Sequence, residues 1–284
     1  MVTFDTDPSR YRHWRLGVEG DVATLTLDVA EDGGLEPGYK LKLNSYDLGV
    51  DIELGDALNR IRFEHPRVKV VVLTSAKERM FCAGANIYML SQAAHSAKVN
   101  FCKFTNETRN GIEESSRDSG LRFVAAVNGA CAGLGLVIAL YADMRFASED
   151  AVFLTAFARR GLIAEHGISW LLPRLVGMAN AADLLFSSRR VTAHEAKELG
   201  LVNKVFSRDA FQAGVMGYAA MLANEVSPRS LREMKREIWN AQFQGLGEAI
   251  DAANRDMVAS FTSEDFKEGV AHFMEKRAPA FTGR

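Results

Sequence analysis

The sequence predicts an α/β core followed by an all-helical C-terminal region, and three patterns carry that expectation. Ala23, Leu25, Leu27 and Val29 alternate with Thr24, Thr26 and Asp28, the period-two signature of a half-buried strand. Two short apolar runs, residues 68–74 and 121–127, are separated by helix-compatible sequence, as buried parallel strands joined by crossovers would be. From about residue 210 onward, glycine thins out between Met221 and Gln242 and helix formers dominate.

The elements follow in order. Residues 31–40 are turn-rich, and residues 44–47 start a helix carrying Leu54, Leu58, Ile61 and Phe63, which His65-Pro66 stops. The buried run at 68–74 comes next, then a polar helix-compatible region at 93–119, the second buried run and a glycine-rich turn. Residues 136–142 read as an apolar helix, and residues 144–147 and 152–154 as short strands. Thr192 and Glu195 have the spacing of a capping box on a short helix, and residues 202–206 close the sheet region. Ser227-Pro228 and Ser263-Glu264-Asp265 are helix starts.

With 284 residues, 48% apolar and 25% charged, the chain can bury a full core; one large unit over 1–209 and a helical module over 210–284 are expected. A net charge of −2 with both signs dispersed gives no basic stripe for nucleic acid and no polybasic cluster for a membrane surface. The N-terminus holds no apolar stretch of signal-peptide length, and no run reaches the ~20 apolar residues that span a bilayer. Cys82, Cys102 and Cys131 lack Cys-x-x-Cys spacing and read as reduced thiols in a cytoplasm. The histidines are scattered without ligand spacing, so no metal is expected.

Two segments could carry chemistry. R-M-F-C-A-G-A-N-I, residues 79–87, places Ala83, Gly84 and Ala85 directly after a buried strand, where small residues let backbone approach a ligand. N-G-A-C-A-G-L-G, residues 128–135, repeats that context. Singly, each is also a tight strand-to-helix turn, and Gly-x-Gly alone also marks a nucleotide loop or close helix–sheet packing. Together they offer the two backbone N–H donors that an oxyanion hole requires.

In this pairing the chain resembles the crotonase (enoyl-CoA hydratase/isomerase) superfamily. The resemblance continues through A-S-E-D-A-V-F at 147–153, a long stretch from Arg174 to Val205, and S-E-D-F-K-E-G-V-A-H-F-M-E-K-R at 263–277, covering most of residues 20–284. It implies a spiral of repeated ββα units forming two nearly perpendicular sheets, and an enzyme acting on an acyl-CoA thioester with no permanently bound cofactor. It also implies that the N–H groups of Ala85 and Leu134 hold the thioester oxygen, and that Ala83, Ala85, Asn86 and Ile87 surround the CoA adenine. Phe273 and Lys276 of the last helix would complete that pocket from a neighbouring subunit in a homotrimer or dimer of trimers.

Hydratases of this family use two glutamates, and this chain has Val137 and Phe157 at those places. Neither can move a proton. Glu165, in a Gly-flanked loop with Leu162, Ile163 and Trp170, matches an acidic position of dienoyl-CoA isomerases and aryl-CoA dehalogenases, and desolvation there would raise its pKa toward useful general-base values. His166 reads as structural, since adjacent side chains diverge in most conformations. Cys82 and Cys131 read as small buried residues.

Segments 42–54, 78–90 and 99–113 are similar to the benzoyl-CoA-dihydrodiol lyase branch, whereas 156–175 is similar to compact bacterial enoyl-CoA hydratases. The change of affinity near Gly133 reads as two branches joined in a chimera. The expected activity is of the enoyl-CoA hydratase/isomerase type, with acyl-CoA hydrolysis, carbon–carbon lysis and a non-catalytic acyl-CoA scaffold as alternatives.

Overall fold

Strand formation begins earlier than the alternation at 23–29 announces. The computed structural model describes residues 2–284, and in it β1 (Trp14–Glu19) pairs antiparallel with β2 (Val22–Leu27), Trp14 opposite Leu27. β1 is a sheet edge on which Trp14 alone is fully buried, so its W-R-L-G-V-E lacks the apolar alternation of a half-buried strand. β3 (Ser45–Tyr46) leads into α1 (Leu48–Glu64). The start of α1 falls where expected: the Asp47 carboxylate accepts the Val50 N–H at 3.2 Å. Phe63, grouped with the apolar face by sequence, is instead 71% exposed.

Three ββα turns follow. The first comprises β4 (Val70–Ser75), β5 (Arg79–Cys82), the short β6 (Gly84–Ala85), α2 (Ile87–Gln92) and α3 (His95–Asp118). The second is β7 (Arg122–Val127), β8 (Gly129–Ala132) and α4 (Leu134–Tyr141). The third is β9 (Met144–Ser148), β10 (Val152–Leu154), α5 (Ile168–Val176) and α6 (Met178–Ser187). β11 (Val191–Thr192), α7 (Ala193–Glu198) and β12 (Lys204–Phe206) close the strand-bearing region. Four helices finish the chain: α8 (Arg208–Asn224), α9 (Pro228–Asn240), α10 (Leu246–Ser260) and α11 (Glu264–Glu275).

Each turn supplies one strand to each of two sheets. The first sheet runs β1-β2-β4-β7-β9-β12 and is parallel from β2 onward. The second runs β11-β10-β8-β5, with only β11 antiparallel. β3 and β6 form a separate parallel pair. This is the ββα spiral of the crotonase fold. β4 and β7 are buried along their whole length, as expected of the apolar runs 70–73 and 123–127, and the flanking Thr74, Ser75 and Arg122 are buried with them. Val71, Leu73, Phe123 and Ala125 face the main core, while Val70, Val72, Val124 and Ala126 face Phe211, Val215 and Ala219 of α8. α8 is therefore the cover of the first sheet, and a division at 209/210 runs through its first turn.

The helix starts at Ser227 and Ser263 are as read from sequence: each hydroxyl accepts an N–H three residues on, at 3.0 Å. The capping box on α7 is half made. Thr192 accepts the Glu195 N–H at 3.3 Å, but the Glu195 carboxylate pairs with Arg189 at 2.6 Å instead of reaching back. Among the described residues no helix is long and apolar enough to cross a membrane.

One buried carboxylate makes stability depend on pH. Asp51 of α1 accepts hydrogen bonds from Tyr46 Oη at 3.0 Å and Thr108 Oγ1 at 2.8 Å. Burial outweighs both and pushes it from its ordinary 3.8 up to about 6. Within that window the native protein keeps a proton that the unfolded chain has lost, so the stabilisation present below the unfolded value disappears as pH rises through about 6. Asp51→Asn removes that loss, and its two hydroxyl neighbours can turn to accept from the amide. The variant is expected to be more stable above that window by about 2–3 kcal/mol, converging with the parent toward pH ~4. Thermal melts across the range check this, and a difference that does not vary with pH would refute it.

Candidate functional site

Strand register brings the two glycine-containing turns together. Cys82 of β5 stands opposite Cys131 of β8, and each is followed three residues later by a backbone donor, Ala85 and Leu134. Adjacent strands lie about 4.8 Å apart, a spacing at which one oxygen fits about 2.9 Å from two N–H groups. Around Ala85, the neighbouring N–H groups are engaged: Asn86 donates to Tyr46 O at 2.8 Å, Ala83 to Leu43 O at 3.1 Å, and Gly84 approaches Cys82 Sγ at 3.4 Å. Leu134 is the first residue of α4, whose first internal bond is Val137 N–H to Gly133 O at 3.0 Å. Its own N–H therefore precedes the helical ladder.

Gly84 is what lets the turns touch. Its φ is +85°, and a Cβ there would lie 2.7 Å from Ala132 O and 3.1 Å from Leu134 N. Cys82 and Cys131 are fully buried beneath the turns, and burial pushes Cys82 up to about 12 and Cys131 upward as well. They pack as small core residues, as expected.

The turns open into a cavity of about 380 Å³. Ala83, Ala85, Ile87 and Leu134 line it, so these four residues named from sequence share one cleft. Phe157 also lines it, whereas Val137 is wholly buried in the core. Asn86, expected beside the ligand, is turned inward. Its Oδ1 caps α2 through Met89 N–H at 2.9 Å, and its Nδ2 donates to Lys40 O and Ser45 Oγ, each at 2.9 Å. Phe273 is 76% exposed and Lys276 caps the end of α11. Neither lines the cleft of its own chain.

Glu165 faces this cleft from the loop between β10 and α5, half-buried, and burial raises its pKa above the ordinary carboxylate value. His166 lines the cleft beside it, contrary to the expected divergence, because His166 (φ 59°) and Gly167 (φ 72°) are both left-handed. A left-handed non-glycine residue costs about 1–3 kcal/mol and persists only where its surroundings hold it. Arg109 of α3 does so, donating from Nη1 to His166 O at 2.7 Å and from Nε to Thr105 O at 3.1 Å, with its guanidinium 4.8 Å from the Tyr141 ring centroid. Tyr141 Oη donates to the same His166 O at 3.3 Å.

Sequence reading missed the α3 wall. Lys98, Phe101 and Cys102 line the cleft, as does Arg160 of the segment after β10. Helical spacing was the available signal: Lys98, Phe101, Cys102, Thr105 and Arg109 recur at three or four residues along one face of α3. Chemically, the cleft joins paired N–H donors to one desolvated carboxylate, with cationic side chains beside them.

The family model described as enoyl-CoA hydratase/isomerase matches residues 40–284. The chain is 49% identical over 228 residues to the benzoyl-CoA-dihydrodiol lyase of Aromatoleum evansii, an overlap of 78% of this chain and 41% of that protein. The chain thus spans less than half the length of that relative. It is 32% identical over 274 residues to a probable enoyl-CoA hydratase of Rhodobacter capsulatus, covering 96% of this chain and 99% of that one. Its fold matches the crystal structure of an enoyl-CoA hydratase from Geobacillus kaustophilus with a TM-score of 0.85 and 32% identity, over 97% of this chain and 98% of the other. An overlap of 78% extends across Gly133, so the likeness to the lyase does not stop at the second turn.

Proposed function

From the premise that the chain belongs to the enoyl-CoA hydratase/isomerase family, we propose that it shifts a double bond in an acyl-CoA thioester, using Glu165 as its single base. The observation that carries this reading is that Glu165 shares one cleft with Ala85 and Leu134; by the family resemblance, Val137 and Phe157 stand where hydratases carry their two glutamates. The Glu165 carboxylate removes a proton from a carbon conjugated with the thioester carbonyl, and the electron pair moves onto the carbonyl oxygen. The N–H groups of Ala85 and Leu134 hold that oxyanion; in a dry site each such donor is worth about 3 kcal/mol of transition-state stabilisation. Protonated Glu165 then returns the proton to a different carbon, so no water needs to be positioned.

Lys98 and Arg160 provide cationic groups for CoA phosphates. Ala83, Ala85 and Ile87 would flank the adenine, with Asn86 setting the start of α2 behind them. In a homotrimer or dimer of trimers, Phe273 and Lys276 of a neighbouring chain complete the pocket. Their exposure on one chain supports that role. We place the enzyme in the cytoplasm, which its three free cysteines support.

Carbon–carbon lysis is a second reading, favoured by the 49% identity to the Aromatoleum evansii lyase. Product analysis separates the two. Purified protein and Glu165→Gln are incubated with a panel of unsaturated acyl-CoAs and an aromatic-ring-derived dihydrodiol thioester. A product of unchanged mass and new double-bond position, lost in Glu165→Gln, is expected. Gain of water, a split carbon chain or free CoA would each replace the proposal by another activity, and tight binding without turnover would leave an acyl-CoA scaffold.

A further inference from the structure

His166, Asn106 and Arg109 take no part in the proton transfer proposed for Glu165, yet their geometry fixes the position of a proton. Asn106 Oδ1 lies 2.7 Å from His166 Nδ1 and also accepts from Arg109 Nη2. An atom that accepts from a guanidinium is the amide oxygen, not the amide nitrogen, so the imidazole proton sits on Nδ1. Nε2 is then a bare lone pair, and it is 3.9 Å from Glu165 Oε2. No ordinary hydrogen bond spans that distance, and an ionised carboxylate has no proton to offer. A protonated carboxyl does, and a small rotation of the Glu165 side chain closes the gap.

The surroundings keep the ring neutral. Burial first, and the Arg109 guanidinium second, push His166 down to about 4. The charged or titratable groups around the pair are Arg109 and Cys102 on α3, Tyr141 on α4, and Lys98 and Arg160 at the cleft wall. Apart from the Glu165 carboxylate itself, 3.9 Å away, none of them is an anion that would favour an imidazolium.

We propose that His166 is the positioning residue for Glu165, its Nε2 accepting a hydrogen bond from the Glu165 carboxyl once that carboxyl has taken a proton from the substrate. This rests on the reading of Glu165 as the base. The C–H bond breaks as the Glu165 O–H bond forms, the electron pair passes to the enolate, and the proton stays on Glu165 until it re-forms a C–H bond. Because His166 does not ionise, the same hydrogen returns to the same molecule. Turnover in D₂O is therefore expected to give product carrying mostly the original hydrogen.

The closing experiment reads the pair with and without turnover. Asparagine tolerates the left-handed backbone and lacks Nε2, and glutamine carries an amide oxygen out to the Nε2 position. In complex with butanoyl-CoA, the NMR titration midpoint of the Glu165 carboxyl carbon is expected to fall by about one pH unit in His166→Asn, because the protonated form loses its acceptor, and to recover in His166→Gln. Nitrogen shifts of wild-type His166 should show the neutral Nδ1–H form throughout. In turnover, His166→Asn is expected to lower kcat by about ten- to a hundredfold at unchanged KM and to move the acidic limb to lower pH, with His166→Gln recovering most of both. An unshifted midpoint, or a glutamine variant no better than the asparagine one, would overturn the inference. If the titration behaves as expected and no acyl-CoA is turned over, the pairing stands and the isomerase reading falls. If turnover needs Glu165 and ignores His166, the reverse holds.

Discussion

Glu165→Gln is expected to lower kcat by about 10²- to 10⁴-fold with KM near its wild-type value, the loss associated with removing a positioned general base. Glutamine keeps the shape of the side chain and its place against the cleft, so ground-state binding of the thioester is retained. What disappears is the ability to accept a proton. The pH profile provides a second signature. Burial raises the Glu165 pKa, so the base is lost by protonation at a higher pH than an ordinary carboxylate would be, and kcat/KM should fall on the acidic side along that limb. The limb should vanish from the residual activity of the variant. Stability gives the control: with the folded-state pKa raised, the ionised carboxylate destabilises the native protein at neutral pH. Glu165→Gln should therefore melt no lower than the parent at pH ~7.5. A variant that retains more than a tenth of the activity would remove Glu165 from the chemistry, and one that melts lower would contradict the raised pKa.

Gly84→Ala is expected to reduce kcat by about 10²- to 10³-fold, the effect of losing one oxyanion donor. The reason is steric. The added methyl would meet Ala132 O at 2.7 Å and Leu134 N at 3.1 Å, both backbone atoms, so the two turns must separate by several tenths of an ångström. The Ala85 and Leu134 N–H groups then no longer converge on one oxygen. The left-handed backbone adds about 1–2 kcal/mol of strain for any residue with a Cβ, a few degrees of melting temperature for a chain of this size. A cooperative melt of nearly normal midpoint together with a collapsed kcat is the diagnostic combination. Unchanged kcat would mean that the two N–H groups do not act jointly.

What could be read before folding depended on how local its cause was. The starts of α1, α9 and α11 were legible because a cap is a contact over three residues, made here by Asp47, Ser227 and Ser263. The parallel order was legible because β4 and β7, buried on both faces, carry apolar residues on both, at 70–73 and 123–127. β1 was not, since an edge strand buries little and takes its register from β2. At the site, the small residues around Ala85 and Leu134 pointed to close backbone approach. The side-chain direction of Asn86 did not follow from its position, because the start of α2 claims its amide oxygen while the Lys40 carbonyl and the Ser45 hydroxyl claim its amide nitrogen. His166 was read as diverging from Glu165 since nothing local forces a left-handed histidine; Arg109, 57 residues away in sequence, does so by holding its carbonyl. Phe273 and Lys276 lie away from the cleft of their own chain, on the exposed end of α11, a placement that no local sequence pattern sets.

The alignment of Cys82 with Cys131 across β5 and β8 has a consequence for divergence. The two donor-bearing turns are held together by the pairing of β5 with β8 beneath them and by the close contact at Gly84, not by how much chain runs between one layer and the next. The first layer returns through the 24 residues of α3, the second through the 8 of α4, and lengthening a connection raises its closure entropy only logarithmically. Insertions and substitutions along α3 can therefore remodel one wall of the cleft while the approach of the two turns is inherited unchanged. Substrate range and thioester activation are, in this architecture, separately heritable traits.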